Sequence, residues 1–330
     1  MPTWECRPED REFFERELAD FVPDRVYDMG CHLWRRTDWQ GREDAVVKIA
    51  PAEMTRERYA ACMDWIMPGR EIHSLFFPFP ATFPNDPTPC NAWISEQIKG
   101  DPLARGQFYV RPTDDPEWTR AEIKRLGLRG FKPFAGFSGR PDIANAEIPE
   151  FCPEWIPRLA HEEGWSITLH MMRARSLADP SNQHWVSEYC RKYPNMTLIL
   201  DHCMRGFNPH HLREGLARLP HFANLYADLS LTCTALAVAT CIKHLGISQV
   251  VYASDFYCSH FRGTNLPVGD SFLWLSEDMP IWDQVVYGAK PVLQGLENLR
   301  AIKAACRLLD LSDNDVEAIF WGNAERVLRL

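Results

Sequence analysis

The feature that most constrains the fold of this chain is an alternation. Apolar runs of four to seven residues are each followed by a longer segment with helical spacing, and several runs end in a histidine or an aspartate. Gln249-Val-Val-Tyr-Ala-Ser-Asp255 ends in Asp255. Ser166-Ile-Thr-Leu-His170 and Thr197-Leu-Ile-Leu-Asp-His202 end in His170 and His202, and His32 closely follows Val26-Tyr-Asp-Met-Gly30. Parallel strands need crossovers of about a dozen residues or more, so short apolar runs separated by helices read as parallel strands. Candidate strands fall at 25–30, 73–78, 107–111, 128–133, 166–170, 197–202, 223–229 and 249–254. Helical spacing marks 9–20, 117–126, 153–163, 182–193 and 234–245. Gly127, Gly164 and Gly246 stand where three of these helices want a left-handed cap. Eight strands, each followed by a helix or a long loop, is the count of an α/β fold closed as a (β/α)8 TIM barrel. An open doubly wound sheet holding a dinucleotide would carry a Gly-x-Gly-x-x-Gly turn after its first strand. Asp28-Met-Gly-Cys-His32 is not one.

No repeat, low-complexity tract or flexible linker divides the chain, so the pattern predicts one barrel domain over 1–330. Residues 1–24 form an N-terminal helical extension. Residues 256–290, rich in aromatics, form an insertion after the last strand, read as a lid or a subunit contact. Ser312, with Asp315 three residues on, opens a final helix over 312–329. A net charge of −9 argues against nucleic acid as the main partner. No apolar stretch approaches the roughly 20 residues of a membrane span. The start carries no basic and apolar leader, and the 11 cysteines are scattered without a C-x-x-C pair. These features predict reduced thiols in the cytoplasm.

In a parallel barrel the downstream strand ends share one rim, where such folds do chemistry. His32, His170 and Asp255 sit at equivalent ends. Two imidazoles and a carboxylate suit one divalent metal, zinc first and manganese second, with an open position for water or substrate. A lone histidine is more often a hydrogen-bonded structural residue; it is the shared rim position that favours ligation.

These segments together resemble the amidohydrolase superfamily, in its second large branch of hydrolases, lactonases and non-oxidative decarboxylases. Val26-Tyr-Asp-Met-Gly-Cys-His32 is similar to that family's first-strand motif, which ends in His-x-His. Leu169-His170, Leu198-Ile-Leu-Asp-His202 and Val251-Tyr-Ala-Ser-Asp255 are similar to its fifth, sixth and eighth strand ends. Trp321-Gly-Asn-Ala324 is similar to the segment closing its last helix. One departure stands out: Gly30 takes the place of the first histidine. The resemblance implies that Asp255 is both metal ligand and general base. It gives His202 the role of an acid or stabiliser near the substrate carbonyl. Some related enzymes carry a carboxylated lysine at the fourth strand; here Lys132 is read instead as a substrate-binding or structural residue. Alternation along the sixth strand points Asp201 and Cys203 away from the site.

Arg111, Lys132, Arg173 and Arg205 gather at predicted strand ends, and guanidinium groups bind carboxylates in bidentate fashion. The leading expectation is a metal-dependent hydrolase of a small, carboxylated molecule. A non-oxidative decarboxylase of the same fold is the second expectation. The third is a metal-free barrel that works by binding. The aromatic content supplies material for a homo-oligomer interface.

Overall fold

The computed structural model of the chain describes residues 4–38, 49–79, 86–284, 288 and 290–330. Its eight barrel strands are β1 (Arg25–Arg35), β2 (Glu71–Pro78), β3 (Arg105–Gly106, resuming at Phe108–Val110), β4 (Gly130–Pro133), β5 (Ser166–Leu169), β6 (Thr197–Leu200), β7 (Leu225–Asp228) and β8 (Val250–Val251). Each pairs in parallel with the next. Backbone bonds from Met29 N to Tyr252 O (3.0 Å), Asp255 N to Gly30 O (2.9 Å) and His32 N to Phe256 O (2.8 Å) join β8 to β1. The ring is therefore closed, as the alternation predicts.

Three strands end earlier than their apolar runs. β5 stops at Leu169, β6 at Leu200 and β8 at Val251, so His170, His202 and Asp255 lie on the turns just beyond. β1 instead runs on to Arg35, because beyond the rim it pairs antiparallel with Glu53–Met54. The expected helices appear at Pro8–Glu17, Pro116–Leu126, Trp155–Glu163, Pro180–Lys192 and Ala235–Leu245. Gly127 and Gly164 take the left-handed cap (φ 70° and 67°). Gly246 has positive φ but extended ψ (84°, 156°), because a new turn, Ile247–Gln249, begins at once.

The lumen is filled by Tyr27, Met29, Leu75, Ile199, Val251 and Ala253. Trp321, Ala324 and Leu328 pack against this cluster. Asn323 donates to the carbonyls of Ile247 (2.7 Å) and Val250 (2.8 Å), which pins this plug to the entry of β8. The tail is broken into Asp313–Glu317, a wide turn at Ala318–Gly322, and Asn323–Leu328, with Ser312 and Asp315 capping its start.

After β8 the chain builds an antiparallel hairpin, β9 (Gly263–Val268) and β10 (Ser271–Ser276). The base of β9 is fixed by Gly263 N to Val292 O (3.0 Å). Its tip is held across the rim, where Asn208 donates to the carbonyls of Gly269 (3.2 Å) and Ser271 (2.9 Å). There His211 Nε2 also lies 2.6 Å from Asp270. Positions 285–287 and 289 of the expected insertion lie outside the described residues. Among those described, no helix is long and apolar enough to cross a membrane.

Candidate functional site

A cavity of about 470 Å³ opens at the rim between the strand ends and the hairpin. Its lining includes His32, Lys132, His170, Asp201, His202, Arg205 and Asp255, with Phe207, Phe272 and Trp274 as a wall. Six of the candidates from sequence (His32, Lys132, His170, His202, Arg205 and Asp255) thus come together. Arg111 and Arg173 do not line the cavity. Arg111 is held by Asp114 (2.7 Å) and Arg173 by Asp179 (2.9 Å).

Asp255 leaves β8 with φ 48°, a left-handed conformation that turns its carboxylate into the cavity. His32 Nε2 stands 3.6 Å from Asp255 Oδ1, and His202 Nε2 stands 4.0 Å from Oδ2. The ring tautomers follow from what each Nδ1 touches. His32 Nδ1 is 2.7 Å from the carbonyl of Pro78, which can only accept, so this nitrogen carries the hydrogen. The Ser230 hydroxyl donates to Asp228 Oδ1 (2.6 Å) and so accepts from His202 Nδ1 (2.8 Å). When neutral, both rings therefore present a bare Nε2 to the Asp255 carboxylate.

Burial, joined by the charge of His202, lowers the pKa of His170 to about 3. Burial also lowers that of His202, outweighing the opposing pull of Asp255 and Asp201. Burial works to raise Asp255, but the adjoining imidazoles of His32 and His202 prevail, and its pKa lies below the ordinary value. At neutral pH the cavity holds an ionised Asp255 beside neutral His170 and His202. Burial, reinforced by the charge of Asp201, lifts Asp228 well above the usual carboxylate range. It serves as the fixed acceptor for His202 N (2.8 Å) and Ser230 N (3.0 Å).

The position of Asp201 corrects the sequence reading. It lines the cavity and pairs with Lys132 Nζ at 2.5 Å. Strand alternation ends at Leu200, and residues 202–205 form a left-handed turn (φ 59°, 51°, 61° and 55°). The period-two rule therefore no longer applies, and Asp201 and His202 both reach the cavity. Four consecutive non-glycine residues in this region carry strain of the kind that collects at functional sites. Cys203 is buried outside the cavity lining, as expected. Asp28, two residues before Gly30, was not singled out from sequence. It accepts from Gly30 N (3.1 Å), Ser254 N (2.8 Å), Ser254 Oγ (2.5 Å) and Tyr59 Oη (2.7 Å), tying β1 to the Asp255 turn.

Gly30 contributes no side chain, and the space beside it is taken. A Cβ there would stand 3.4 Å from the Phe77 ring and 3.5 Å from Ala253. Phe77 also lies edge-on to His32 at 4.5 Å and beneath the Lys132 ammonium at 4.6 Å. The donors His32, His170 and Asp255 are of the right kind for a divalent ion. They are not gathered as one: among the described residues no three His, Cys, Asp or Glu side chains form a group that could hold a metal. As arranged, His32 and Asp255 stand at the separation of two ligands on one ion, and the described donors do not form a three-ligand centre.

Solved structures share this fold at low identity. An amidohydrolase from Burkholderia multivorans with bound zinc aligns at TM-score 0.59 and 13% identity, over 92% of this chain and 99% of that one. A putative 2-pyrone-4,6-dicarboxylic acid hydrolase from Pseudomonas putida aligns at 0.55 and 16%, over 92% and 97%. A 5-carboxyvanillate decarboxylase from Novosphingobium aromaticivorans, complexed with manganese and 4-hydroxy-3-methoxy-5-nitrobenzoic acid, aligns at 0.55 and 14%, over 99% of each chain. No curated protein matches. The family profile described as amidohydrolase matches residues 27–330, so the chain belongs to the amidohydrolase family.

Proposed function

We propose that this protein hydrolyses a small carboxylate-bearing molecule, with Asp255 as the base for an attacking water. The observation that carries this reading is the convergence of the Nε2 atoms of His32 and His202 on the Asp255 carboxylate. With both rings neutral, these three acceptors repel one another unless hydrogens or a cation lie between them. A water molecule supplies the hydrogens, donating to Asp255 and to one imidazole while its lone pair faces the substrate. Asp255 takes the proton as the water attacks. Asp255 then passes that proton to His202 Nε2, 4.0 Å away, which delivers it to the leaving group as the scissile bond breaks and restores the free carboxylate. Arg205 supplies the carboxylate site. It lines the cavity, has no carboxylate partner among the described residues, and spends Nη1 on the carbonyl of Arg173 (2.5 Å). A half-buried guanidinium without a counter-ion favours an anionic ligand. The expected zinc, with manganese second, is supported by the metals of the related structures and not by the donor arrangement here. The steps above are therefore built from side chains alone.

The test is a screen of carboxylated lactones, amides and aromatic acids, read by mass spectrometry, with Asp255→Asn as control. Gain of water in the product, absent in the variant, is the expected result. Loss of carbon dioxide would replace hydrolysis with the decarboxylase reading. Ligand binding without turnover in either protein would favour a barrel that only binds. Elemental analysis accompanies the screen. About one zinc or manganese per chain, lost in His170→Ala, would show that His32, His170 and Asp255 regroup around an ion, and would overturn chemistry by side chains alone.

A further inference from the structure

Asp255 stands in a backbone conformation that its residue type resists. Its φ of 48° is left-handed, and such strain persists only where the surroundings over-determine it. The bonds that hold it there lead back to one side chain outside the cavity, the carboxylate of Asp28 on β1.

Asp28 is fully buried and does not line the cavity. Four hydrogens from uncharged groups converge on it. Oδ1 accepts from Gly30 N (3.1 Å) and Ser254 N (2.8 Å), and Oδ2 accepts from Ser254 Oγ (2.5 Å) and Tyr59 Oη (2.7 Å). Burial pushes its pKa up to about 6 against the pull of these bonds, so at neutral pH it is ionised and only accepts. The direction of each bond follows. Ser254 Oγ donates to Asp28 and is left to accept from Phe256 N (2.9 Å). That last bond steps over Asp255 and closes a tight turn around it. Gly30 N donates to Asp28, while Gly30 O accepts from Asp255 N (2.9 Å). The arm from Tyr59 leads elsewhere, to Ser74 Oγ (2.7 Å) on β2. An apolar side chain in the place of Asp28 would avoid the cost of burying a charge. What the carboxylate supplies, and an apolar group lacks, is a fixed acceptor that reaches the backbone on both sides of Asp255.

We infer that Asp28 is a positioning residue. Through Gly30 and Ser254 it holds Asp255 in the left-handed conformation that turns its carboxylate toward His32 and His202. The inference rests on the reading of Asp255 as the base given above. It adds to that reading a residue that acts on the chemistry without touching the substrate.

The probe is mono(4-nitrophenyl) glutarate, an activated ester that carries a carboxylate and releases 4-nitrophenolate. Steady-state kinetics and crystal structures are obtained for the wild type, Asp28→Asn, Ser254→Ala and Tyr27→Phe. Tyr27, also on β1, donates to the carbonyl of Leu103 (2.8 Å), so its variant reports the loss of a hydrogen bond that leads away from the site. In Asp28→Asn and Ser254→Ala the Asp255 carboxylate withdraws by about 1 Å from His32 or His202, kcat falls by about 10–10²-fold, and KM stays within about twofold. Tyr27→Phe lowers the melting temperature by a few degrees and keeps kcat within about twofold. An Asp255 carboxylate that stays in place in both variants overturns the inference, whatever kcat does. So does a fall in kcat in Tyr27→Phe as large as in the other two. Displacement of Asp255 with kcat unchanged leaves the positioning intact and overturns the reading of Asp255 as base. If the wild type does not cleave the ester, the position of the carboxylate decides alone. Ser254→Ala removes a single oxygen atom, so the result does not depend on how Asp28→Asn folds.

Discussion

Replacing Asp255 by Asn keeps the shape of the side chain and removes both its charge and its capacity as a base. Turnover is expected to fall by about 10²–10⁴-fold, the usual range for a lost general base, with an unchanged circular dichroism spectrum. Because its pKa lies below the ordinary value, Asp255 stays ionised down to acid pH. Asp255 should therefore cause no loss in kcat/KM until the pH falls below the ordinary carboxylate range. The same shift fixes the sign for stability. A depressed folded pKa contributes stability that is present above the unfolded value and is lost as pH falls through the folded one. Gly30 gives a separate test. Gly30→Ala adds only an ordinary contact with Phe77 and should cost less than about 1 kcal/mol, whereas Gly30→His meets the Phe77 ring and should cost about 1–3 kcal/mol by urea denaturation. Gly30→His combined with Phe77→Ala should recover part of that loss. His32, His170, His202 and Asp255 were legible as a cluster because each ends an apolar run. Asp201 was not, because its direction is set by a left-handed turn that no periodicity announces.

At the scale of elements, the strands and helices were legible because apolar spacing switches between their two periods, and because proline and glycine mark the helix ends. What the sequence did not show was where the strands stop. The apolar runs of β5, β6 and β8 continue past the last ladder bond, so the candidate residues His170, His202 and Asp255 sit on turns. The hairpin was legible only as an aromatic insertion; its pairing and its two anchors depend on contacts distant in sequence. Its tip rests on few bonds, namely those from Asn208 and the pairing of His211 with Asp270. Asn208→Ala together with His211→Ala should therefore loosen the hairpin without unfolding the barrel. The expected signs are faster limited proteolysis within 263–276, a several-fold rise in KM with kcat little changed, and a melting temperature within a few degrees of the wild type.

For the whole molecule, the barrel followed from counting strands, since eight parallel strands with crossovers have few ways to bury both faces. The long-range ties were invisible in sequence. Asp10, on the N-terminal helix, is fully buried against Arg262 and also accepts from Leu293 N (3.1 Å). Asp10→Asn leaves a buried guanidinium uncompensated and should cost about 3–5 kcal/mol by urea denaturation. It should also disturb the cavity, because Arg262 lines it.

The seam between β1 and β8 has a mechanical consequence. It joins residues more than two hundred positions apart, and one of its bonds runs from Asp255 N to Gly30 O. A force that draws the two ends of the barrel sequence apart loads this seam before any other pair of neighbouring strands. Under tension, the chain would lose its chemistry while most of its strands were still paired.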